Sequence, residues 1–102
     1  MKRWLMSTVV CSALIAAFPS IAADPVAGKA KYAVCAGCHG PAGMGNAALG
    51  YPQLAGRDAA FVTAQLQAFK SGKRESATMK AMVAGLSGTD MENLGAYIAS
   101  LR

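Results

Sequence analysis

The chain has 102 residues with 54% apolar side chains, ten basic residues against five acidic ones and a net charge of +5. That length holds one domain and excludes two of ordinary size. The charge excess is modest and is not gathered into any dense basic run.

The N-terminus has the layout of a secretory signal peptide. Lys2 and Arg3 form a basic start, Leu5 to Phe18 an apolar core, and Pro19 is followed by small residues up to Ala23. The apolar run falls short of the roughly 20 residues that a spanning helix needs, so cleavage after Ala22 or Ala23 is expected, not a retained anchor. Cys11 lies inside this run behind Val10, where a lipidation site would want a small residue. It is expected to leave with the leader. The lack of an Arg-Arg pair favours export as an unfolded chain. Residues 24–102 then form the domain, with eight basic and five acidic side chains and a balance of +3. That balance is too small to suggest nucleic acid or anionic membrane as a partner. A domain this short often recruits disulfides, metals or another non-protein core.

Asp24 is placed to cap a helix that starts at Pro25, with Val26, Ala30, Ala33 and Val34 on its apolar face. Gly40 to Gly56 carries five glycines, two prolines and Asn46, which predicts a long loop without regular structure. Asp58 is placed to cap a second helix, with Phe61, Val62, Leu66 and Phe69 inward and Gly72 at its end. Residues 71–86 are mixed and contain two methionines. A last helix follows Ser87 or Thr89, with Thr89-x-x-Glu92 as its capping box and Leu94, Tyr97, Ile98 and Leu101 as its apolar stripe. No alternating β-branched run and no internal repeat is present, so the chain reads as all-α.

Cys35-Ala36-Gly37-Cys38-His39 is the segment that carries chemistry, because C-x-x-C-H reads as a c-type haem attachment site. Residues three and four apart on one helical turn share a face, so two sulfurs and one imidazole can meet a single flat ligand. A zinc site would need two further ligands, and residues 24–102 contain no other cysteine or histidine. A thioredoxin-like site would follow a β-strand, and no strand pattern precedes Cys35. A lone disulfide would leave His39 without a role. The Gly40, Gly43 and Gly45 cluster lacks both the preceding strand and the Gly-Lys-Ser/Thr of a phosphate loop.

Haem iron commonly takes methionine as a second axial ligand opposite histidine. Met44 lies too soon after His39, and Met91 has a core-like spacing to Leu94 and Ile98. Spacing alone leaves Met79 and Met82 both open.

The segments Val34 to Gly40, Tyr51-Pro52-x-Leu54-Ala55-Gly56, Gln65-Leu66-x-x-Phe69-Lys70-x-Gly72-x-Arg74, Met79-x-x-Met82 and Ala96-Tyr97-Ile98 occur in one order along the chain. Together they resemble the small bacterial class I cytochromes c, in particular one half of the two-haem periplasmic kind and its monohaem relatives. The resemblance implies the class I cytochrome c fold, three to four helices wrapped around one covalently bound haem c. It implies thioether attachment at Cys35 and Cys38, His39 as the proximal iron ligand and Met79 as the distal one, with Met82 packing nearby. It also implies that the Pro52 carbonyl accepts a hydrogen bond from the ligand histidine and that Leu54 packs on the haem face. Gly28 and Tyr97 would mark the crossing of the first and last helices.

The function expected is a periplasmic single-electron carrier between a membrane cytochrome complex or dehydrogenase and an oxidase or reductase, and not an enzyme. Lys70, Lys73, Arg74 and Lys80 flank Met79 and could form a basic rim for an acidic redox partner. A haem-bearing subunit of a larger dehydrogenase is the alternative, and a peroxidase, which would need an open iron position, is a further one.

Overall fold

Two glycines set how the helices cross. The computed structural model describes residues 22–102, so the expected leader, Cys11 with it, lies outside the described residues. Four helices follow in order: α1 Pro25–His39, α2 Ala59–Ser71, α3 Ala77–Val83 and α4 Gly88–Ser100. A single 3-10 turn, Ala47–Leu49, interrupts the long loop after α1. Among the described residues the extended backbone amounts to one isolated bridge between Asn46 and Tyr51. No described helix is long and apolar enough to cross a membrane.

Helix α4 lies between α1 and α2 and approaches both closely. A methyl group on Gly28 of α1 would stand 2.0 Å from the Asn93 carbonyl oxygen of α4. One on Gly95 of α4 would stand 2.7 Å from the Ala59 carbonyl oxygen of α2. Backbones can pass at that distance only where no Cβ intervenes. The expected crossing of first and last helices is therefore present, with Gly28 resting on the Asn93 backbone. Tyr97 pairs instead with Tyr32, their ring centroids 5.2 Å apart and tilted by 58°, a favourable edge-to-face geometry.

The buried face of α1 is Gly28, Tyr32 and His39, and of the apolar face read from its sequence Val26, Ala30 and Ala33 are exposed. Val26 is 77% exposed, while Val34, 68% exposed, borders the cleft of the functional site. Alanines surround this helix, so apolarity gives it little directional preference, and the close approach at Gly28 decides which side turns inward.

The helix ends follow local chemistry. Asp24 accepts a hydrogen bond from the Val26 N–H at 2.9 Å, ahead of Pro25 at the first helical position. Asp58 occupies the N-cap of α2 without a side-chain capping bond, and Gly72 ends that helix in the left-handed conformation. Helix α3 was not foreseen from periodicity, and Ser76 caps it by accepting the Met79 N–H at 3.1 Å. The capping box of α4 is Ser87 with Asp90, two residues ahead of the expected Thr89–Glu92 pair.

The core is small. Tyr32, Ala55, Val62, Leu66, Phe69, Val83, Met91, Leu94 and Ile98 are its buried apolar residues. Cys35, Leu54, Met79 and Leu86 pack against it without being fully enclosed. The side they leave open is the functional cleft.

Candidate functional site

The last turn of α1 carries Cys35, Cys38 and His39 to one wall of a cleft of about 430 Å³. Both cysteines are half-buried and unpaired with one another. Burial pushes the Cys35 thiol above its ordinary range, and the neighbouring Cys38 adds to the effect.

His39 is buried, at 6% exposure. Its Nδ1 lies 2.8 Å from the Pro52 carbonyl oxygen. A carbonyl can only accept, so Nδ1 carries the proton and donates it, which leaves Nε2 as the nitrogen with a free lone pair.

The loop after α1 is built to deliver that carbonyl. Gly40, at φ +86°, stops the helix immediately after His39 while its N–H donates to the Ala36 carbonyl at 2.9 Å. The Tyr32 hydroxyl donates to the Gly40 carbonyl at 2.6 Å and fixes the helix end to the core. Asn46 and Tyr51 exchange two backbone hydrogen bonds of 2.8 and 2.9 Å, closing a short hairpin that leads into Pro52. The Gly43 carbonyl then accepts from the Leu54 and Ala55 amides at 2.7 and 2.9 Å. Leu54 is half-buried and faces the cleft.

The facing wall comes from α2 and α3. Phe61, Leu66 and Phe69 of α2 line it, and so do Met79 and Met82 of α3. Met79 packs against the core, whereas Met82 is 46% exposed. All six site residues expected from sequence, Cys35, Cys38, His39, Pro52, Leu54 and Met79, therefore border the same cleft.

Two arginines complete the rim. Arg57 lies over the Phe61 ring at 5.5 Å and Arg74 over the Phe69 ring at 4.7 Å. Arg74 also donates to Gln65 Oε1 at 2.6 Å. Helical spacing alone points Phe61 to the core, and nothing in the sequence marks Arg57 beyond its position one residue before the α2 cap. Of the four basic residues read as a rim, Arg74 lines the cleft. Lys70 is turned the other way, donating to the Leu86 carbonyl.

The cleft volume lies within the ordinary range of roughly 300 to 1,000 Å³ for sites that take a cofactor. Its walls are mostly apolar, and its donors are two thiols, one imidazole nitrogen and thioether sulfur, a set that suits covalent haem and its iron. A family model described as cytochrome c oxidase, cbb3-type, subunit III matches residues 23–98. The chain belongs to this cytochrome c family. This cytochrome is 44% identical over 93 residues to cytochrome c-554(547) of Halothiobacillus neapolitanus, covering 79% of this chain and 100% of that one. It is 37% identical over 100 residues to the thiosulfate dehydrogenase electron acceptor of Thiomonas intermedia (strain K12), covering 98% of this chain and 45% of the relative. Among solved structures it resembles reduced recombinant cytochrome c4 from Pseudomonas stutzeri, with a TM-score of 0.68 and 35% identity over 78% of this chain and 50% of that one. The cytochrome thus spans about half the length of its longer relatives and the full length of the shorter one. The all-α class I cytochrome c fold expected from the sequence is the one observed, and so is the likeness to one half of a longer cytochrome.

Proposed function

We propose that this cytochrome is an exported single-electron carrier that works in the periplasm after losing residues 1–23. When bound, haem c supplies a one-electron ferric–ferrous couple. Cys35 and Cys38 would hold it through thioethers, His39 Nε2 and the Met79 sulfur would be its iron ligands, and the Pro52 carbonyl keeps the His39 ring in one tautomer and orientation. Leu54, Leu66 and Phe69 exclude water from the iron environment. A histidine and a methionine of the protein would both be committed to the iron, which favours electron transfer over substrate turnover.

The observation that carries this reading is that one cleft is lined by two thiols and a Nδ1-protonated imidazole from α1 and by a thioether from α3. Arg57 and Arg74 at its rim suit docking to an acidic redox protein, such as a dehydrogenase, an oxidase or a membrane cytochrome complex. Nucleic acid is not a partner in this reading. The Thiomonas relative, named as an electron acceptor of thiosulfate dehydrogenase, makes a dehydrogenase donor the first to try. The name of the matching family model supports a second reading, a haem-bearing subunit of a larger redox complex.

Optical spectra of both oxidation states, combined with stopped-flow reduction by a partner at several salt concentrations, test the proposal. Low-spin spectra with fast, salt-sensitive transfer are expected. A high-spin ferric spectrum with substantial peroxidase turnover would overturn it.

A further inference from the structure

Resting on the reading of His39 as an iron ligand, we propose that Gly45 is a positioning residue for that histidine. It grips both partners of the His39–Pro52 hydrogen bond at once. On one side the Gly45 N–H donates to the His39 backbone carbonyl at 2.7 Å. On the other side its Cα rests directly on the strand that carries the Pro52 carbonyl. A Cβ built there would meet the Tyr51 carbonyl oxygen at 2.5 Å, the Pro52 carbonyl carbon at 2.6 Å and the Gln53 nitrogen at 2.7 Å. All three are backbone atoms, which cannot swing aside as a flexible side chain would. Gly45 also sits at φ +70°, a conformation that glycine adopts without strain.

The Pro52 carbonyl reaches within 2.8 Å of Nδ1 because nothing projects from Gly45 between the two segments. Relieving the Cβ contacts would require the Pro52 segment to move away from His39. An N–H···O bond that starts at a normal length weakens steeply when stretched past roughly 3.2 Å. The consequence is chemical as well as geometric. Donation from Nδ1–H strengthens the imidazole as a donor through Nε2 and fixes the ring's rotation. Gly45 itself does not line the cleft, so it acts only through His39 and Pro52.

Gly56 provides an internal control. It has a similar φ, +82°, at the end of the same loop, but it does not line the cleft and an added Cβ would meet nothing within 4 Å. Gly56→Ala therefore carries the positive-φ strain of Gly45→Ala without the steric wedge.

The test compares wild type, Gly45→Ala and Gly56→Ala as nitrogen-15-labelled ferrous holoprotein, following the His39 Nδ1–H resonance, its solvent exchange and the reduction potential. In Gly45→Ala the resonance should move upfield, exchange should accelerate by about tenfold or more, as expected when one ordinary hydrogen bond is lost, and the potential should rise. Gly56→Ala should match wild type in all three. Equal changes in the two variants, or an unchanged Gly45→Ala, would overturn the inference. If Gly45→Ala yields no folded holoprotein, wild-type exchange decides. The Gly45 amide and His39 Nδ1–H should then open together, with protection agreeing within a few-fold, and a Gly45 amide that exchanges orders of magnitude faster overturns the inference. A wild-type spectrum without a ligated histidine would instead sink the underlying assignment of His39.

Discussion

Gly28 and Asn93 cross so closely that a methyl group on the glycine would lie 2.0 Å from the asparagine's carbonyl oxygen. The contact is backbone against backbone, at the centre of the α1–α4 packing, and the Asn93 side chain adds a hydrogen bond of 2.8 Å from the Asp24 amide. Gly28→Ala should destabilise the holoprotein by about 1 to 3 kcal/mol, since overpacking outweighs the gain in helix propensity. Gly88→Ala, whose Cβ would meet nothing within 4 Å, should stay within about 0.5 kcal/mol of wild type. Denaturant unfolding of both variants checks this, and equal stabilities would contradict the crossing.

Asp90 couples the start of α4 to pH. The Ser87 N–H donates to its carboxylate at 2.9 Å, and this bond holds the Asp90 carboxyl below the usual carboxylate range, with the Ser87 hydroxyl and the Lys31 and Lys70 charges acting in the same direction. Because the folded value is depressed, the unfolded chain binds the proton more readily. The stabilisation is complete above the unfolded value of about 3.9 and is lost as pH falls through the folded one. Asp90→Asn should therefore melt below wild type at neutral pH, with the gap closing on acidification. A gap that is constant from neutral to strongly acidic pH would refute the assignment.

How much of this was legible beforehand depends on how local the cause is. Cys35, Cys38 and His39 could be placed on one face because a single helical turn fixes their relation. The Pro52 carbonyl came from family likeness alone, since its delivery depends on Gly40, Gly45 and the Asn46–Tyr51 bridge acting together. Apolar spacing points Val26 inward, yet it is exposed, because the inward face of α1 is chosen by contact with α4 at Gly28, while Val34 borders the cleft. Helix α3 has seven residues, too few for an apolar period to show. Ser87–Asp90 and Thr89–Glu92 overlap as capping patterns, and only the direction of chain entry separates them. Phe61 was read as core because helical spacing does not distinguish a protein core from the wall of a cofactor cleft.

Removal of the haem should unfold most of the domain. Cys35, Leu54, Met79 and Leu86 are only partly covered by protein, and a core of this size in so short a chain is marginal without a further buried group. Circular dichroism of apoprotein prepared by thioether cleavage should show loss of most helical signal. A native-like spectrum with a cooperative melt would mean that the helices hold each other unaided. Acid-acetone treatment of intact protein should leave one haem mass on the chain, and haem leaving with the solvent would contradict covalent attachment.

Met79 and Met82 lie three residues apart on α3 and both border the cleft, so which sulfur serves the iron is the sharpest question. Their surroundings differ. Met79 is half-buried and packed on the core, and its amide is fixed by Ser76, while Met82 is 46% exposed. A ligand needs a sulfur held in one position, which favours Met79. Met79→Ala should abolish the weak near-infrared sulfur-to-iron band of the ferric protein and lower the reduction potential, because a thioether favours the ferrous state. Met82→Ala should keep the band. It should also lose less stability than the roughly 2 to 5 kcal/mol typical of truncating a buried methionine, since half of Met82 is already in solvent. Survival of the band in the Met79 variant and its loss in the Met82 variant would shift the ligand by one helical turn and require α3 to rotate on the face of the cleft.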